Sequence, residues 1–414
     1  MISLLLTLAM NLIKGTMLKL MIPVFCIYFG ACTSAQIPVS INNPKETDEI
    51  LTGAQQTDKW ISKLQGKRIG LVVNATSTIG YTHLVDTMKS LNLNVKYIFA
   101  PEHGFRGDAD AGEHVLNEKD PKTDLPIYSL YGNRKAPEDS ILRELDIVVF
   151  DIQDVGCRFY TYLSTLHYVM GACAKAAVPL LVLDRPNPNG HYVDGPIMKP
   201  EFKSFVGVDP VRIVHGMTLA EMAGMINGEY WLGKGIQCDL KIISCQAYNH
   251  STKYIPPISP SPNLKSLRAI LLYPSLCLTE GTVLSVGRGT DTPFEVLGYP
   301  DSKIGDYYFM PLKTRGNKAP LYLDNECRGF SYQQLDIDSL RTNPGIDLSS
   351  IIEFYKQAPS NFFLANGFFD KLAGTDSIRK LIMEGKSSWE IRQTWQEELI
   401  EFKYKRRKYL LYPE

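Results

Sequence analysis

DIVVFDIQDVGCRFYTYLSTLHYVMGACAKAAVPLLVLD, residues 146–184, is the stretch on which the fold turns. It opens on an apolar run rich in β-branched side chains, Asp146–Asp151, and closes on a second, Val178–Asp184. Between them Tyr160–Ala177 carries the spacing of a long helix. Neither run alternates polar with apolar, so both strands are expected to be buried on two faces, as parallel strands covered by helices are. Towards the N-terminus the pattern repeats. Arg68–Asn74 (RIGLVVN), Val95–Ala100 (VKYIFA) and Leu125–Leu130 (LPIYSL) read as strands, Thr82–Leu91 and Pro137–Glu144 as helices. The expectation is an α/β fold on a mostly parallel sheet.

Towards the C-terminus the rhythm changes. Thr218–Asn227 reads as a helix capped by Thr218, with Glu221 at the capping-box position. Cys238–Cys245 alternates like a strand, and Pro256–Asn263 (PPISPSPN) is a loop, either a boundary or a cleft wall. Leu267–Tyr273 is one more apolar run, followed by the Gly-, Thr- and Arg-rich Glu280–Glu295. These changes predict a catalytic domain over 59–265 and a smaller α/β domain over 266–414.

Right-handed crossovers bring the carboxyl ends of parallel strands to one edge, where open α/β sheets bind ligands. Four strand ends here carry reactive side chains: Asn74; Glu102, His103 and Arg106; Asp151, Asp154, Arg158 and Tyr160; and Asp184 with Arg185. Glu102 is the leading candidate acid. Pro101 fixes the backbone before it and Gly104 lets the chain turn away, leaving the side chain accessible. Partial burial beside Phe105 would favour its protonated form, as general acid catalysis needs. The structural alternative is a carboxylate locked to Arg106. Asp151, Asp154, Asp184 and Glu113 are further candidate carboxylates at or near these ends. Arg158, Arg185 and Arg288 offer forks for a carboxylate ligand, with internal salt bridges as the alternative. Tyr160 and its aromatic neighbours offer flat faces to a sugar ring.

Other chemistries fit less well. The first strand runs into NATSTIG rather than G-x-G-x-x-G, and no Walker-type loop occurs, so neither NAD nor another nucleotide is expected. No G-x-S-x-G marks a serine hydrolase. Asp108, Asp110, Glu113 and His114 could join Glu102 and His103 around a metal, but the spacing matches no known ligand pattern, so no metal or cofactor is expected. With 44 Lys+Arg against 44 Asp+Glu, the chain lacks the basic excess of a nucleic-acid binder.

Residues 18–32, LKLMIPVFCIYFGAC, place a lysine, an apolar stretch and small residues before Cys32. The stretch is too short to span a bilayer comfortably and resembles a bacterial lipoprotein signal, with Phe29 where Leu is more usual. The expectation is a signal peptide over 1–31, translated from Met1 or Met17, and a linker over 32–58. Cys32 would carry the lipid that anchors the chain in the cell envelope, in the periplasm, as an outer-membrane lipoprotein. A buried N-terminal helix is the alternative. Of the other cysteines, Cys238 and Cys245 flank one segment and are either disulfide-bonded or buried as free thiols.

The blocks PEHGFRGDADAGE (101–113), LPIYSLYG (125–132), DIVVFDIQDVGCRFYTYLSTL (146–166) and LDRPNPNG (183–190) closely resemble the exo-β-N-acetylmuramidases. So do HGMTLAEMAGMING (215–228), PPISPSPN (256–263), the run 273–298, LAGTD (372–376) and YLLYP (409–413). Cys157 departs from the small residue usual in the family. The resemblance implies a Rossmann-like catalytic domain, a smaller C-terminal domain and a cleft between them. It also implies hydrolysis of terminal N-acetylmuramic acid (MurNAc) from non-reducing ends of peptidoglycan fragments, without a nucleotide, and it places the catalytic candidate at Glu102. Because muramic acid carries a lactyl carboxylate, an arginine in the crevice, Arg158 or Arg288, is expected to bind it. A non-catalytic muropeptide-binding lipoprotein and a metal-dependent envelope hydrolase are the competing readings.

Overall fold

A computed structural model describes residues 49–106, 118–314, 317–358 and 360–414. Six parallel strands make the centre: β1 Ile69–Val73, β2 Val95–Ala100, then, past the short β3 Glu118–Lys119, β4 Pro126–Ser129, β5 Ile147–Asp151 and β6 Leu180–Leu183. Past the separate antiparallel pair β7 Asp194–Ile197 and β8 Arg212–Val214, the sixth is β9 Leu240–Ile243. The order across the sheet is β9-β6-β5-β1-β2-β4-β3, with only β3 antiparallel to its neighbour. The expected α/β sheet is therefore present, and the Cys238–Cys245 segment is its edge strand.

Strand periodicity explains why the apolar runs are continuous. Ile69, Leu71, Val73, Ile147 and Val149 point to one face, where they meet Trp60 and Leu64 of α1 (Thr57–Leu64) and Leu84 and Met88 of α2 (Leu84–Ser90). Val72, Val148 and Phe150 point to the other, against Leu166 and Met170 of α3 (Tyr162–Ala176) and Met222 of α4 (Leu219–Gly228). Each such side chain contributes about 1.5–3 kcal/mol by leaving water. Gly70 is required by the packing itself. A Cβ there would lie 2.6 Å from Leu145 Cδ1 and 2.8 Å from Phe99 Cε2.

Local signals set most of the helix ends. Thr218 and Glu221 form the expected capping box at α4. The Pro137–Glu144 segment shrinks to one turn, Asp139–Leu142, and the apolar run from Leu267 is a helix, α5 Leu267–Leu276, which accommodates Pro274. Beyond it β10 Val296–Tyr299, β11 Tyr307–Phe309 and β12 Cys327–Ser331 form a second, antiparallel sheet in the order β10-β12-β11. Residues 49–414 nonetheless form one compact unit. Phe294, Phe354 and Phe369 belong to the same core cluster as Val148 and Leu166, so the C-terminal part shares an interior with the parallel sheet.

Cys238 and Cys245 are separate buried thiols rather than a disulfide. Among the described residues no helix is long and apolar enough to cross a membrane. The expected signal peptide, Cys32, the expected linker up to residue 48, and Glu113 lie outside the described residues.

Candidate active site

After β1 the chain continues on one side of the sheet, through β2 and β4, and later returns to the other side of β1 as β5. β1 and β5 are thus adjacent strands whose connections leave in opposite directions. A crevice opens at such a switch point, outside the carboxyl ends. Glu102 stands at this edge, following Ala100 at the end of β2 and Pro101. The turn that presents it uses two left-handed residues, His103 (φ 69°) and Gly104 (φ 75°), closed by the Gly104 amide donating to the Pro101 carbonyl at 3.0 Å. Left-handed backbone costs a non-glycine residue some energy, which the closed turn at His103 offsets.

One hydroxyl addresses the Glu102 carboxyl directly, Thr161 Oγ1 donating to Oε2 at 2.6 Å, and the Tyr131 phenol lies near enough to feel its charge. Burial, with Glu102 adding to it, pushes the Tyr131 phenol up to about 12. Tyr162 reaches the Glu102 backbone carbonyl at 3.5 Å, and Tyr160 donates to the Pro260 carbonyl at 2.7 Å. PPISPSPN is therefore a wall of the cleft.

Two cavities meet here. The narrower, about 60 Å³, is lined by Glu102, Tyr160, Arg288 and apolar rings. The wider, about 370 Å³, lies between Asn74, Arg106 and the Ser259–Asn263 loop. His103, Tyr162 and Ser261 line both. The wider volume is within the usual range of ligand pockets, ~300–1,000 Å³. Among the described residues Glu102 is the single carboxylate lining either cavity.

Asn74, Glu102, His103, Arg106, Tyr160 and Arg288 therefore come together as expected. Arg106 does not lock Glu102. It pairs with Asp120 at 2.9 Å and Asp86 at 3.5 Å, its guanidinium 4.5 Å from the Phe105 ring centre. Phe105 in turn packs edge-on against His83. Arg288 is held by Glu280, which accepts from Nε and, at 3.3 Å, from Nη2.

The other strand-end residues correct the sequence reading, because they lie beneath the crevice. Asp151 is fully buried and ion-paired with Arg185, whose Nη2 is 2.9 Å from Oδ2. Neither side chain is left to reach a ligand. Asp154 Oδ1 caps the Gly156 amide at 2.6 Å, and burial pushes its carboxyl up to about 7, but it lines neither cavity. Asp184 accepts from the Ala220 amide at 3.1 Å and from the Tyr412 phenol, and burial pushes it up to about 7 as well. Arg158, expected to bind the lactyl carboxylate, is 1% exposed. Its guanidinium donates to the carbonyls of Pro196 (3.2 Å), Val211 (2.8 Å) and Leu372 (2.8 Å). It is a structural tie between distant segments. Glu113 lies outside the described residues.

Sequence reasoning missed Tyr131, Thr161 and Lys265, the last of which lines the wider cavity. Tyr131 follows β4, so the strand-end argument would have found it had it been extended to that shorter strand.

Two family models cover the chain, the N-terminal part of the exo-β-N-acetylmuramidase NamZ over residues 69–268 and its C-terminal part over 271–412. The chain belongs to the NamZ exo-β-N-acetylmuramidase family. It is 36% identical to the peptidoglycan β-N-acetylmuramidase NamZ of Bacillus subtilis (strain 168), a match over 93% of this chain and 97% of that protein. Two crystal structures of DUF1343 family proteins from Bacteroides fragilis NCTC 9343 share the fold seen here. One is 44% identical with a TM-score of 0.82, over 89% of this chain and 100% of the other. The second is 25% identical with a TM-score of 0.75, over 88% and 99%.

Proposed function

We propose that the chain is an exo-β-N-acetylmuramidase that hydrolyses terminal MurNAc from the non-reducing ends of peptidoglycan fragments such as MurNAc-GlcNAc, in cell-wall turnover and recycling. The observation that carries this reading is Glu102, a carboxyl lining the cleft after a left-handed turn and held by the Thr161 hydroxyl. In this reading Glu102 gives its proton to the glycosidic oxygen as the bond to C1 of the muramic acid breaks. Water adds its oxygen to C1, and a proton from that water restores the acid. N-acetylmuramic acid and the shortened fragment are the products. His103, Asn74 and Tyr160 wall the sugar, and Arg288 is a buttress beside the acid, neutralised by Glu280.

The test is incubation of the purified protein with MurNAc-GlcNAc and with a GlcNAc disaccharide. N-acetylmuramic acid released from the first alone, and lost in a folded Glu102→Gln variant, is the expected result. Binding of the fragment without product would instead make the chain a muropeptide-binding protein. We further propose that Cys32 is lipidated and anchors the chain to the membrane in the periplasm, as an outer-membrane lipoprotein. The signal-like LKLMIPVFCIYFGAC supports this. Metabolic labelling with a fatty-acid probe should mark the wild type and not Cys32→Ala.

A further inference from the structure

The two cavities differ in charge. Among the described residues the wider one has no carboxylate in its wall. It has two cations, Arg106 and Lys265, among neutral hydroxyl and amide groups such as Thr290, Ser261 and Asn263. The narrower holds Glu102, and Glu280 binds the Arg288 that lines it. A ligand anion in the narrow cavity would find its one guanidinium, Arg288, already paired with Glu280, a poorer setting for a negative charge than the wider cavity.

The cations also differ in what already occupies them. Arg106 is shared between Asp120 and Asp86, and Arg288 is forked onto Glu280. Lys265 Nζ donates to the Thr290 carbonyl at 3.2 Å, and among the described residues it makes no ion pair. An ammonium has three protons to give, so a neutral carbonyl leaves both its charge and further donors available.

We infer that Lys265 binds the lactyl carboxylate of the terminal muramic acid and so sets the preference for that sugar acid over neutral N-acetylhexosamines. This rests on the muramidase reading of the site. The chemistry of the sugar fits the two-part cleft. The lactyl ether is on C3 and the bond to be broken is on C1, at separate positions on the ring. A ring straddling the His103, Tyr162 and Ser261 junction sends the carboxylate into the cationic cavity and its C1 oxygen towards Glu102. The Arg288 role expected from sequence passes to a lysine that the strand-end argument does not reach, because Lys265 follows the proline-rich loop.

The test compares MurNAc-GlcNAc with the same disaccharide whose lactyl carboxyl is a methylamide. The wild type should favour the free acid. Lys265→Met should lower kcat/KM for the acid about tenfold, mostly through KM, and lower that for the amide much less; Lys265→Arg should restore the preference. A Lys265→Met variant that melts like the wild type and still prefers the acid overturns the proposal. So does a preference erased by Arg288→Lys instead. If the wild type hydrolyses neither compound, that failure belongs to the hydrolase reading. Calorimetric binding of free N-acetylmuramic acid and N-acetylglucosamine to wild type and Lys265→Met then decides the role of Lys265 alone, since equal discrimination in the two proteins rejects it.

Discussion

The Thr161 hydroxyl lies 2.6 Å from Oε2 of Glu102, although Thr161 occupies the N-cap of α3, where a threonine ordinarily bonds its own helix. No side-chain cap bond forms there. A local rule is broken so that the start of a helix can hold the candidate acid, and such breaks concentrate at functional sites.

Thr161→Val is expected to reduce kcat at least tenfold with little change in KM, since a hydrogen bond to a charged group contributes about 1.5–3 kcal/mol. Because the cap bond is already absent, the melting temperature should hardly move. Steady-state kinetics beside a thermal melt checks both halves, and an unchanged kcat would remove Thr161 from the mechanism.

Arg158→Met should act on stability and not on substrate affinity. It strips the donors from three buried carbonyls, at Pro196, Val211 and Leu372. A loss of about 3 kcal/mol or more is expected, read as a fall in the urea midpoint. A KM for MurNAc-GlcNAc raised in a fully stable variant would return Arg158 to the site.

Asp154 supplies a pH dependence. Burial raises its carboxyl to about 7, against the Gly156 and Val155 amides, which pull it down. The native chain thus keeps a proton that the unfolded chain releases near its ordinary value of about 3.9. The stabilisation from this group is complete below that value and is lost as pH rises towards 7. In Asp154→Asn this loss cannot occur. The stability of the variant relative to wild type should therefore climb between pH 5 and 7 and level off above it. Denaturant melts at each pH measure the difference; a flat one would contradict the assignment.

Tyr412→Phe should loosen the C-terminal tail. The phenol donates to Asp184 and accepts from the Cys245 amide at 2.8 Å, so its removal leaves two buried partners unsatisfied. A cost of about 1–3 kcal/mol is expected. Hydrogen exchange at Cys245 should quicken by a comparable factor.

Much of the fold was legible because its signals are local. Runs such as Ile69–Val73 and Ile147–Asp151 are buried at every position, and Thr218 with Glu221 forms the cap its spacing implies. The site was legible at Glu102, where a proline, a glycine and a strand end converge. It was not legible at Arg158, Asp151 or Asp184. An arginine after a strand looks the same in sequence whether its fork meets a ligand or, as here, carbonyls as remote as that of Leu372. The apolar run from Leu267 likewise fits a strand or a helix until its neighbours are known.

By itself the sequence determined the parallel sheet, its covering helices and the edge where chemistry gathers, since period and strand-end position are properties of neighbouring residues. Only the tertiary structure decided which charged groups at that edge face the cleft. Ion pairing and burial join residues far apart in the chain, as Arg185 with Asp151 and Tyr412 with Asp184, and whichever groups they satisfy are withdrawn from any ligand.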